Sequence, residues 1–130
     1  MTKKLKKKIS ITVEKTNTGY SAFAEELGVY STAKDIPSLN TNLIEALNLH
    51  YEDTGYSVDG ENLKLKIDFQ QFFQYYKVIN AKFLAKRIGM NPSLLSQYVR
   101  GKKQPSDKQT RKIILGIQEI GKELSSINLL

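Results

Sequence analysis

Apolar side chains at the start of the chain fall on every second position. Ile9, Ile11 and Val13 alternate with Ser10, Thr12 and Glu14, the period of a strand that buries one face. Thr16-Asn17-Thr18-Gly19 supplies turn residues and residues 20–24 resume the extended pattern, which predicts a hairpin. After Glu25-Glu26-Leu27-Gly28, β-favouring residues from 29 to 33 predict a third strand. The period then becomes helical through Leu39, Leu43, Ala46, Leu47 and His50, with Asp35 near the start and Asp53-Thr54-Gly55 at the close. Leu63, Leu65 and Ile67 alternate with Lys64 and Lys66 as a fourth strand. The order strand, strand, strand, helix, strand predicts a small α+β domain over residues 1–66, its helix on one face of a mainly antiparallel sheet.

From residue 67 to 130 the pattern is helical throughout. Asp68 is placed to cap a helix whose aromatics Phe69, Phe72, Phe73 and Tyr76 sit at three- and four-residue spacings, a stripe that reads as core. Asn80 caps a second helix, in which Phe83, Leu84 and Ile88 gather on one face, and Gly89 ends it. Asn91-Pro92 opens a third, with Leu95, Tyr98 and Val99 facing inward, Ser93, Ser96, Gln97 and Arg100 facing outward, and Gly101 closing it. Ser106 and Gln109 form a capping-box pattern ahead of a long last helix striped by Ile113, Ile114, Ile117, Ile120 and Leu124. That stripe exceeds what a short four-helix domain needs for its own core, so part of it is expected to bury against another copy of the chain.

Charge sharpens the division. Residues 1–66 hold nine Lys and nine acids, whereas residues 67–130 hold eleven basic residues and four acids, so the whole excess of +7 is C-terminal. Ten basic residues against Asp107 alone lie between Lys77 and Lys112, the footprint of a surface that displaces counterions from a phosphate backbone. The order of signals over residues 80–105 is that of a helix-turn-helix. Its outward side chains are short and polar, able to approach base edges, and the Gln97 amide can both donate to and accept from an adenine edge in the major groove. Asn80 and Lys82 would hold phosphate at one helix start, Ser93, Ser96 and Gln97 would read bases, and Arg100, Lys102 and Lys103 would grip the backbone of double-stranded DNA. A solvated basic face is the blander reading of the same charges. One such motif makes too few contacts for tight specific binding, so a homodimer or homotetramer reading a palindrome is expected.

Other chemistry finds little to work with. The 130 residues contain no cysteine and a single histidine, His50, which excludes a disulfide framework and leaves no Cys–His or Ser–His arrangement. Glycines match no phosphate-cradling loop, and Glu25-Glu26, adjacent in extended structure, face opposite ways. Asp53, Asp59 and Glu61 fall in a predicted loop. No enzyme activity, metal or cofactor is therefore expected. Five lysines before Ile9 read as a frayed, solvated start, able also to touch nucleic acid, and lead into an alternating segment rather than a signal peptide. With no transmembrane-length apolar run, the expected location is the cytoplasm and no membrane contact.

The segment ITVEKTNTGYSAFAEELGVYSTAKDIPSLNTNLIEALNLHYED, followed by the helical half NAKFLAKRIGMNPSLLSQYVRGKKQP, resembles the HicB family of antitoxins in the variant with a C-terminal Cro/repressor-type helix-turn-helix. The resemblance spans residues 8 to about 124 and is more specific in the second half. It implies a partial ribonuclease-H-like domain that blocks a HicA-like ribonuclease toxin, and a domain that binds the operator of the toxin–antitoxin operon. The toxin-facing surface it implies lies at Glu25, Glu26, Leu27, Val29 and Tyr30. There the family has a proline-rich acidic turn, and this chain keeps acid, leucine and glycine but lacks the proline and cysteine. Residues 9–66 hold four Lys and nine acids, which suits a basic partner. The competing reading is an orphan HicB-like DNA-binding regulator whose first domain binds another protein or ligand. A purely structural oligomer with basic helices for solubility is the third.

Overall fold

The computed structural model describes residues 2–129 as an α+β protein whose backbone divides into two compact units, one running through Tyr75 and one from Tyr76. In the first unit, strands β1 (Lys3–Lys4), β2 (Ile9–Thr16), β3 (Gly19–Ala24) and β4 (Val29–Ala33) precede helix α1 (Ile36–His50). Strands β5 (Tyr56–Ser57) and β6 (Leu63–Ile67) and helix α2 (Phe69–Tyr75) follow. The main sheet has the order β4-β3-β2-β6. Both β3 pairings are antiparallel and β2 pairs β6 in parallel, because the chain returns to the sheet through α1. Ile9, Ile11, Val13, Ala22 and Ala24 meet Leu39, Leu43 and Leu47 of α1 in one core. Those three leucines, four residues apart and fully buried, each contribute about 1.5–3 kcal/mol of burial. Asp35 caps α1, its carboxylate accepting from Ser38 N–H at 2.8 Å, and this bond holds the Asp35 carboxyl below its ordinary value.

Three parts of this unit differ from the sequence expectation. The lysine-rich start is not frayed: β1 pairs in parallel with β5, and the nearly buried Asn62 donates to Leu5 C=O at 2.7 Å and Lys7 C=O at 3.0 Å. Asp59 and Glu61 do not lie in an irregular loop, since residues 60–62 form a 3-10 turn capped by Asp59 and Asn62, with Lys4 paired to both acids. The unit extends past residue 66 to take in α2. Where β6 ends, Asp68 N–H still bonds Val13 C=O at 3.1 Å. Two residues further along β2, the Gln71 amide accepts from Lys15 N–H at 2.9 Å and donates to Lys15 C=O at 2.6 Å, standing in for the next rung of the ladder.

The second unit contains α3 (Ala81–Ile88), α4 (Pro92–Val99) and α5 (Asp107–Ser125), three helices among the described residues rather than the four expected once α2 is assigned to the sheet unit. Leu84, Ala85, Met90, Leu95, Tyr98 and Ile113 are its buried apolar residues. Phe83, expected inside, is 62% exposed, and Leu124 at the far end of the α5 stripe is likewise 62% exposed. Among the described residues no helix is long and apolar enough to cross a membrane.

Candidate nucleic-acid interface

Local signals position the turn between α3 and α4. Asn80 caps α3 by accepting from Phe83 N–H at 3.2 Å. Gly89 closes it in the left-handed region at φ 69°, which a β-carbon would strain, and Met90 N–H returns to Ala85 C=O at 2.8 Å. Asn91 then accepts from Ser93 N–H at 2.8 Å and Pro92 takes the first position of α4, where its missing N–H costs nothing. Lys112, one turn into α5, reaches Gly89 C=O at 3.4 Å.

With Leu95 and Tyr98 buried, the face of α4 spaced at Ser93, Ser96, Gln97 and Arg100 is turned away from the core. These four side chains and Lys82, from the first turn of α3, line one shallow depression together with Ala81, Pro92 and Val99. Sequence reading placed Val99 inside, whereas it is half-buried at the edge of this depression. Past α4, Gly101 takes a left-handed φ of 72°, and Lys102 N–H and Lys103 N–H both bond Gln97 C=O, at 2.9 and 3.3 Å. Those bonds hold two exposed lysines beside the end of α4. Asn80 stands apart from the depression, its side-chain oxygen engaged in the cap.

The other predicted surface is split by the fold. Glu25, Glu26 and Leu27 form a 3-10 turn, not extended chain, and Gly28 ends it in the left-handed region. Leu27 and Val29 pack against the core of the sheet, leaving Glu25, Glu26 and Tyr30 at the surface.

A second concavity escaped the sequence reading. Val78, Ile79, Phe83, Leu84 and Arg87 face Ile117, Ile120, Gly121 and Leu124 across an apolar groove between α3 and α5. Arg87 and Glu123 form an ion pair across the same two helices. The long stripe on α5 was its only sequence signal. Compared with models of known protein families, with curated proteins and with solved structures, the chain matches none of them.

Proposed function

We propose that the chain is a DNA-binding antitoxin of the HicB type, in which α3 and α4 act as a helix-turn-helix and α4 enters the major groove. The observation that carries the reading is the single depression shared by Lys82, Ser93, Ser96, Gln97 and Arg100. Short polar side chains and one amide able to address an adenine share it with the cations Lys82 and Arg100, and Lys102 and Lys103 follow directly on α4. The sheet unit, ribonuclease-H-like in this reading, takes a basic HicA-like ribonuclease through the surface that includes Glu25, Glu26 and Tyr30. No catalytic step or cofactor is assigned to the chain. The inward turn of Leu27 and Val29 favours a second reading, an orphan regulator whose first unit serves another partner.

Gel-shift titration against the DNA upstream of the chain's own gene tests the DNA half. Gln97→Ala is expected to weaken specific binding by about 1–3 kcal/mol and relax one base position, while Lys102→Ala weakens binding to all sequences and reduces the salt slope by about one. Equal losses on specific and random DNA for both variants would overturn base reading by α4. Co-expression with a small basic protein encoded next to it tests the other half. If that neighbour is toxic alone, and this chain neither relieves the toxicity nor co-purifies with it, the orphan reading replaces the antitoxin.

A further inference from the structure

We propose that the open face of the main sheet is a second nucleic-acid site, a platform for single strands on which Phe23 and Tyr30 stack bases. Ile9, Ile11 and Val13 of β2 point into the core, so their neighbours point out. The register sets Tyr30 opposite Phe23, Phe23 opposite Thr12, and Thr12 opposite Lys66. One row across all four strands therefore runs Tyr30, Phe23, Thr12, Lys66, and each of these residues is exposed. Tyr30 is 73% and Phe23 43% exposed, an unusual position for two large rings directly opposite each other on neighbouring strands. Lys64 stands two residues along β6 from Lys66, opposite Ser10.

This chemistry fits an unpaired strand better than a protein. Rings on adjacent strands of a four-stranded sheet accept successive base faces regardless of sequence. Lys66 at the end of the row offers a phosphate contact, and the low hydroxyl side chain of Thr12 between it and the rings leaves room for bases to lie flat. A protein partner needs a larger central apolar cluster than the two large apolar side chains that project here. Glu14 lies one row away, opposite Ser21, so phosphates are drawn toward Lys66 at the β6 edge of the sheet. The site lies outside the α3–α4 depression and stands whether or not that depression binds duplex DNA. Tyr30 also belongs to the surface proposed for the toxin, so the two partners would compete.

Fluorescence anisotropy with labelled twelve-nucleotide oligo(U) and oligo(dT), roughly the length one small domain covers, tests it on the full chain. Phe23→Ala with Tyr30→Ala should weaken single-strand binding by about tenfold per ring and leave duplex operator binding unchanged. Tyr30→Trp, which keeps a stacking face, should retain it. The salt slope of single-strand binding should be shallow, between about −0.7 and −1.4 for one or two phosphates, and flatter in Lys66→Ala. Gln97→Ala with Arg100→Ala should leave single-strand binding intact. Three results would overturn the platform: no binding of either oligonucleotide, binding abolished by the α4 variant but not by the ring variant, or ring variants that lose a protein partner without any change in oligonucleotide affinity.

Discussion

At Gly116 one added methyl group meets the packing of two helices at once. Gly116 is buried on α5, and a β-carbon there would lie 2.3 Å from Ile88 Cγ2 and 3.5 Å from Leu84 Cδ1, both on α3. Alanine would gain up to about 1 kcal/mol of helix propensity, yet forcing the helices apart costs about 1–3 kcal/mol in a packed core, so the clash wins. Gly116→Ala is expected to lower the denaturant midpoint of the C-terminal unit, and the double variant Gly116→Ala/Ile88→Ala should lose less than the sum of the two single losses. Additive losses in that cycle would show that the two side chains do not meet. The apolar stripe on α5 was legible in the sequence, but the glycine within it was not. A missing side chain leaves no periodic signal, and its value depends on the helix that comes to rest on it. The amides behave alike: Asn48, whose side chain exchanges bonds of 2.8 and 3.1 Å with the Val58 backbone, reads in the sequence only as a polar helix position.

Elements with a strong period were legible, and those defined by tertiary partners were not. β2, β3, β4, α1, β6 and the helices from α3 to α5 follow alternation, helical spacing and caps that act within a few residues. β1 and β5 are two residues each and join chain segments about fifty residues apart, so no local pattern announces them. α2 was legible as a helix, but not its tie to β2, made by the Gln71 amide bonds together with the Lys15 ammonium over the Tyr75 ring. Gln71→Ala should release α2 from β2 and lower hydrogen-exchange protection at Lys15 N–H, leaving the amides of α5 unchanged. Gln71→Glu keeps the acceptor, loses the donor and should fall between. Unchanged exchange at Lys15 would mean that the amide is incidental. The β1 end responds to pH. Lys4 is raised above its ordinary value chiefly by Glu61 and then Asp59, and Asp59 is lowered chiefly by Lys4. A depressed carboxyl adds stability above its unfolded value of 3.8 that is lost as pH falls through the folded one. The raised lysine adds stability below 10.5 that is lost as pH rises through its folded value. Amide shifts of Lys3 and Leu5 should therefore move toward random-coil values only as pH falls below about 3.8, and Asp59→Asn should diminish that step.

For the whole molecule, the division between a charge-balanced sheet unit and a basic helical unit was legible from composition and patterning, while the faces that remain open were not. Burial of a stripe residue depends on what the neighbouring helix sets against it, and Leu124, across the groove from α3, is left exposed. The expectation that a homodimer or homotetramer reads the DNA gives the uncovered groove a proposed occupant, the same surface of a second copy, since an interface around a two-fold axis must be self-complementary. Exposed Val78, Phe83 and Leu124 flank its floor of Leu84, Ile117 and Ile120, and none of them lines the depression holding Gln97. Phe83→Asp or Leu124→Asp would place a charge in that contact while leaving α4 intact. Light scattering across a concentration series is expected to show a dimer for the unaltered chain and a monomer for either variant. Operator affinity should then fall by far more than Gln97→Ala causes, because the two half-sites would be bound independently rather than as one. A variant that stays dimeric, or a monomer with undiminished operator affinity, would separate this groove from DNA binding and move the two-fold contact elsewhere.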